Sequence, residues 1–143
     1  MVLMSVNLWA VLGAAVAAMV IGFLWYSPLL FARPWMMAMG YSPDDKDKIA
    51  EMRKSAGRLY SITLLTSLLS AFVLGKIIYH LAIGSALYGM KAGLAVWAGF
   101  VMTVQLTDKL FSRRPLTLFL INTGYQLVIY LAMGAILGVW AGR

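Results

Sequence analysis

The sequence predicts an all-α, polytopic membrane protein: four transmembrane helices arranged as two hairpins, with a short interfacial or cytoplasmic helical segment between the first two. Three observations predict it. The 143 residues are 62% hydrophobic and 12% charged, with a mean hydropathy of +0.84, which leaves too little polar surface to cover a water-soluble globule. Four apolar stretches are each long enough to cross roughly 30 Å of hydrocarbon at 1.5 Å per residue. The basic residues behind the net charge of +7 fall almost wholly between those stretches, where they orient spans and meet anionic head groups. The chain therefore reads as one transmembrane domain, 1–143, with membrane lipid as its main partner and no role in binding nucleic acid. It has no cysteine, which excludes disulfides, thiolate metal sites and a cysteine nucleophile. No cofactor other than lipid is expected.

The spans are Leu8 to Leu30, Leu59 to Tyr79, Leu87 to Phe111 and Leu116 to Trp140. Trp9 and Trp25 bracket about 24 Å of the first, the spacing of amphipathic aromatics at two interfaces. Tyr60 and Tyr79 bracket the second in the same way. In the connection 31–58, Pro28 should end or kink the first span, and the apolar run to Met39, broken by Arg33 and Pro34, fits a short helix in the interface. Ser42, Pro43, Asp44 and Asp45 then read as a helix start, with a hydroxyl cap, a proline at the first position and carboxylates near the positive end of the dipole. The following helix should be amphipathic, with Ile49, Met52 and Ala56 on one side and Asp44 paired to Lys48.

Basic residues decide the orientation. The first connection carries Arg33, Lys46, Lys48, Arg53, Lys54 and Arg58, and the third Lys109, Arg113 and Arg114, against Lys76, Lys91 and Arg143 on the other side. The expectation is a multi-pass protein of a bacterial inner membrane with both termini periplasmic and the first and third connections cytoplasmic.

Polar side chains inside hydrocarbon are costly and so mark candidate sites. On span two, Thr63, Ser67 and Ser70 recur at helical spacing beside Thr66; span three carries Thr103, Gln105 and Thr107; on span four, Asn122, Gln126 and Tyr130 share a face at i, i+4, i+8. Gln105 and Asn122 lie at matching depth, about 9 Å inside the membrane, on helices joined by a tight turn. Their amides are expected to meet in a polar layer with Ser67 and Gln126. Such a layer links helices by hydrogen bonds or, as the alternative, faces a solute.

Small residues at every fourth position allow close backbone approach: Ala14, Ala18 and Gly22 on span one, Gly89 and Gly93 on span three, and Gly134, Gly138 and Gly142 on span four. Some of these ridges should pack internally and others could join copies, so a homo-oligomer or a larger membrane complex is expected. Asp108 should sit at the cytoplasmic interface, paired with Lys109, Arg113 or Arg58, with Arg113 and Arg114 completing that interfacial charge. His80, the only histidine, cannot by itself build a metal site within one chain. With no activated nucleophile, base or metal set at matching depth, an enzyme is not expected. The expected role is helix packing, as an oligomer or accessory subunit, with a small oligomeric transporter or channel for a neutral solute or ion as the alternative.

The combination of Asn7 and Trp9, an Ala-rich first span, Gly22, Trp25, Tyr26, Ser27, Pro28 and Trp35, then Trp97, Gly99 and Phe100, and finally Phe119, Ile121, Asn122, Gly124, Tyr125 and Gln126 leading to Met133 and Gly134, resembles the small bacterial membrane proteins catalogued as domain of unknown function 1761. The resemblance covers nearly the whole chain. It implies a four-span membrane protein and no particular activity, and it places the face of Asn122, Tyr125 and Gln126 within a family signature.

Overall fold

The computed structural model describes residues 6–42 and 44–141; Pro43, Gly142 and Arg143, named above, lie outside them. Among the described residues seven α-helices occur in this order: α1 Leu8–Trp25, α2 Ala32–Ala38, α3 Lys46–Lys54, α4 Ala56–His80, α5 Ala86–Val96, α6 Met102–Ser112 and α7 Leu116–Trp140. A π-helical turn, Trp97–Val101, joins α5 to α6, and among the described residues four helices are long and apolar enough to span a bilayer: α1, α4, the α5–α6 unit and α7.

The expected spans are all present, with shifted ends. The side chain of Asn7 starts α1 by accepting the amides of Trp9 and Ala10 at 3.0 and 3.3 Å. The first span stops at Trp25 rather than Leu30, because Pro28 lacks an N–H and forces the residue before it out of the helical region. Proline recurs as Pro34 inside α2, in the first turn, where a helix has no use for the missing donor.

The start of α3 corrects the expectation. Asp45, not Ser42, is its cap and accepts the Lys48 amide at 3.1 Å. Ser42 instead closes the preceding turn by accepting the Asp44 amide. Both residues can cap, and the one nearer the helix does so. Lys48 is paired with Glu51 at 3.8 Å, not with Asp44, and lies 4.7 Å from the centre of the Tyr41 ring.

Helix α7 is the post of the bundle: it packs against α1, α4 and α5. Lipid tails are as apolar as leucine, so these contacts are stabilised by van der Waals fit rather than by exclusion of water. Ala14 and Ala18, both at 0% exposure, bring α1 against the core of Leu74, Ile78, Met133 and Leu137. The glycine ridges of spans three and four meet each other. A Cβ on Gly89 would strike the Gly134 carbonyl, one on Gly134 the Gly89 carbonyl, and one on Gly93 the Tyr130 carbonyl. Among the described residues these ridges are thus used inside a single chain, which removes them as a reason for contact between copies.

Beyond the π turn the third span parts from its neighbours. Its buried residues are Gly89 and Gly93, both on α5, and α6 has none. A π turn adds a residue to the helical repeat and redirects the helix beyond it. α5 is locked on α7 by glycines, and α6 is not.

Candidate functional site

At the basic end of the bundle, where α1 finishes and α7 begins, three consecutive residues of α7 hold the spans together. The Trp25 indole donates to the Ile121 carbonyl at 2.9 Å, the Tyr26 hydroxyl to Asn122 Oδ1 at 2.6 Å, and the Trp97 indole to the Thr123 carbonyl at 3.0 Å. Each α7 carbonyl has a second lone pair free after its helical bond, so the indoles bind without breaking the helix. Gly124 makes room: a Cβ there would stand 3.2 Å from the Trp25 ring, and one on Gly22 would stand 3.2 Å from the Tyr125 hydroxyl. The rings continue the connection. Tyr26 meets Tyr125 edge-on at 5.3 Å and Trp35 at 6.0 Å, and Trp35 meets Tyr41 at 6.4 Å, which ties the first connection to α7.

The divergence of α6 opens two spaces on this framework. The smaller, about 180 Å³, lies between α6 and α7 at the basic end and is lined by Gln105, Asp108, Lys109, Arg114, Asn122 and Thr123 over Leu118 and Phe119. The larger, a cleft of about 520 Å³ between α4, α6 and α7, carries Thr63, Thr66, Ser67 and Ser70 on one wall and Phe100, Val101 and Val104 on the other. Gln126 and Tyr130 lie between the two walls, with Tyr125, Ile129 and Met133, and Gln105 borders both spaces.

The expected polar layer is therefore assembled in part. Ser67, Gln105, Gln126 and Tyr130 share the large cleft, but Gln105 and Asn122 are not joined as expected. Gln105 Oε1 accepts the Thr123 hydroxyl at 2.7 Å, and the Asn122 carboxamide is taken by Tyr26. Matching depth fixes height along a helix but not direction around it, and successive residues point about 100° apart. The buried Thr123 is the one turned to the third span, and Asn122 turns to the end of α1. Asp108 is also corrected: its partner is the Ser112 hydroxyl at 3.1 Å rather than a basic side chain. Arg113 occupies the left-handed region at φ 54° and turns the chain between α6 and Pro115.

Trp25, Tyr26, Trp97 and Thr123 carry the junction and were missed as site residues. Trp97 had a legible signal, since an indole N–H within hydrocarbon must find an acceptor.

The hydrogen-bonding state of the cleft separates two kinds of polar residue. Thr63 and Thr66 turn their hydroxyls back to the carbonyls of Leu59 and Thr63. Ser67, Ser70, Gln126 and Tyr130 bond no side chain or carbonyl among the described residues, and none of the residues lining the cleft is charged. Among the described residues no group of His, Asp or Glu could hold a metal ion.

Four membrane-spanning helices, three of them packed round the glycine-seamed fourth, with a neutral polar cleft between them, define a polytopic helical membrane protein. Its residues 9–138 match the family described as "Protein of unknown function (DUF1761)", and the chain belongs to that family. No curated protein and no solved structure matches it.

Proposed function

We propose that the protein is a non-enzymatic component of a bacterial inner membrane that acts by binding within the bilayer, as a self-associating or accessory subunit, through the cleft between α4, α6 and α7. The carrying observation is that Gln126, with Ser67, Ser70 and Tyr130, stands in this cleft without a partner among the described residues. Unbonded polar groups facing hydrocarbon are costly, so a chain that retains them has a use for them outside its own packing. The cleft hydroxyls have no acidic or basic lining residue to activate them, which supports binding over turnover. The poorly covered third span supports contact with another membrane component, and no cofactor beyond lipid is needed.

The test separates binding from internal glue. In detergent, replacing Gln126 by Leu and Ser70 by Ala should stabilise the isolated chain by about 0.5–1 kcal/mol, because an unpaired polar group is removed. If the substitutions instead destabilise it, the layer is internal support and the binding reading falls.

A second reading has one observation in its favour. Gln105 borders both the cleft and the basic pocket, so polar groups run from the membrane interior to the basic end, as a channel or transporter for a neutral solute would require. Flux of a neutral solute in reconstituted vesicles, lost in Gln105→Leu, is the measurement that would favour it.

A further inference from the structure

We propose that the occupant of the α4–α6–α7 cleft is an uncharged amphipathic lipid whose head carries hydroxyl and carbonyl groups, of which diacylglycerol is the simplest, entering sideways from the bilayer. This rests on the reading of the cleft as a binding site and goes on to name its ligand class.

Size suits a small molecule. Along α7 the cleft runs from Tyr125 to Met133, about 12 Å at 1.5 Å per residue, and its volume of about 520 Å³ lies within the range of small-molecule sites, roughly 300–1,000 Å³. An extended chain with a small head fits that length and volume.

Chemistry excludes a charged head and a purely apolar ligand. A phosphate or ammonium group would be desolvated among lining residues that carry no charge, with nothing to compensate it. A bare hydrocarbon would leave Ser67, Ser70 and Gln126 unpaired. The lining is itself amphiphilic: Ser67 and Ser70 of α4 stand on one wall, and Phe100, Val101 and Val104, with Gln105 beside them, on the other. Hydroxyls and an amide supply both donors and acceptors, which suits a head that also has both. The opening exists because the π turn at Trp97–Val101 frees α6 from α7, and such turns recur at functional sites.

The experiment uses the full chain in vesicles of phosphatidylcholine and phosphatidylglycerol. A diacylglycerol with a photoactivatable diazirine on one acyl chain is compared with phosphatidylcholine carrying the same group. Expected is labelling of residues 100–105 or 126–133 by the diacylglycerol probe about five-fold above the phospholipid probe, the worth of one or two hydrogen bonds inside a bilayer. Gln126→Leu combined with Ser70→Ala should reduce labelling to the phospholipid level. Ser70→Phe, which fills the cleft while keeping Gln126, should do the same, and Thr103→Val, outside the lining, should leave it unchanged. Equal labelling by the two probes, or labelling indifferent to both cleft variants, overturns the proposal. Thr66→Cys tells the two levels apart. If diacylglycerol fails but Cys at 66 cross-links two copies, the ligand is wrong and the cleft still binds; if both fail, the binding reading falls as well.

Discussion

The hydroxyl of Tyr26 donates to Oδ1 of Asn122 across 2.6 Å, joining residues 96 apart in sequence. One comes just after the last turn of α1 and the other lies in the second turn of α7, so the bond clasps the first and last spans at the basic end. It stands beside the Trp25 indole on the Ile121 carbonyl. Two sequence elements, Trp25 to Pro28 and Phe119 to Gln126, thus form one structural unit.

Removing the hydroxyl in Tyr26→Phe should destabilise the chain by about 1 kcal/mol, and Asn122→Leu by a similar amount, since each leaves the other's polar group unpaired. A double-mutant cycle should give a coupling energy of about 0.6 kcal/mol and no more than about 1.7, the range for hydrogen bonds between membrane helices. Equilibrium unfolding in bicelles measures all three. Coupling indistinguishable from zero would mean that the bond adds nothing to the clasp.

The glycine seam allows a sharper contrast. Gly89→Ala or Gly134→Ala drives a methyl into the facing carbonyl, and backbone cannot yield as a flexible side chain does. Each should cost about 1–3 kcal/mol or more and part α5 from α7. Gly57→Ala, in the first turn of α4 with nothing within 4 Å of the added methyl, should be neutral or stabilising by up to about 1 kcal/mol. Thermal unfolding of the three variants in one detergent checks the order.

Both tight hairpin tips place a non-glycine residue in the left-handed region, Ala82 at φ 56° and Arg113 at φ 54°. That conformation costs an L-residue about 1–2 kcal/mol. Ala82→Gly and Arg113→Gly should each stabilise the protein, by up to about 1 kcal/mol once glycine's greater freedom in the unfolded chain is deducted. A fall in stability in either variant would show that the side chain at that turn makes a contact outweighing the strain.

How much was legible depended on which property carried the information. The four spans came from length and hydropathy, which need no knowledge of neighbours, and the end of the first was missed by five residues because Pro28 and the apolar Leu29 and Leu30 give opposite signals. The glycine ridges were legible as surfaces for close approach, but their partners were not: spacing says that Gly89 and Gly134 want a neighbour and not that they want each other. Ser67, Gln105 and Gln126, grouped by polarity and depth, line one cleft, and Tyr130, placed by its spacing on the Gln126 face, lines it too. Gln105 and Asn122 were wrongly joined because rotation about the helix axis, and the residue added by the π turn, are set by packing. Nothing in the run from Trp97 to Val101 marks a π turn, since each residue there is an ordinary member of an apolar helix.

Orientation can be settled without native background, because the chain contains no cysteine. Successive spans alternate in direction, so the connection holding α2 and α3 and the turn at Arg113 lie at one end of the bundle, and the turn between α4 and α5 lies at the other. Retention of positive residues on the cytoplasmic side predicts that a cysteine at Ala50, in α3, is hidden from an impermeant maleimide applied to intact cells. A cysteine at Gly84, in the opposite turn with open space about it, should be labelled. Permeabilising the cells should expose position 50 and leave labelling at 84 unchanged. Labelling at 50 with protection at 84 would reverse the orientation, and the basic pocket lined by Lys109 and Arg114 would then face away from the anionic cytoplasmic leaflet.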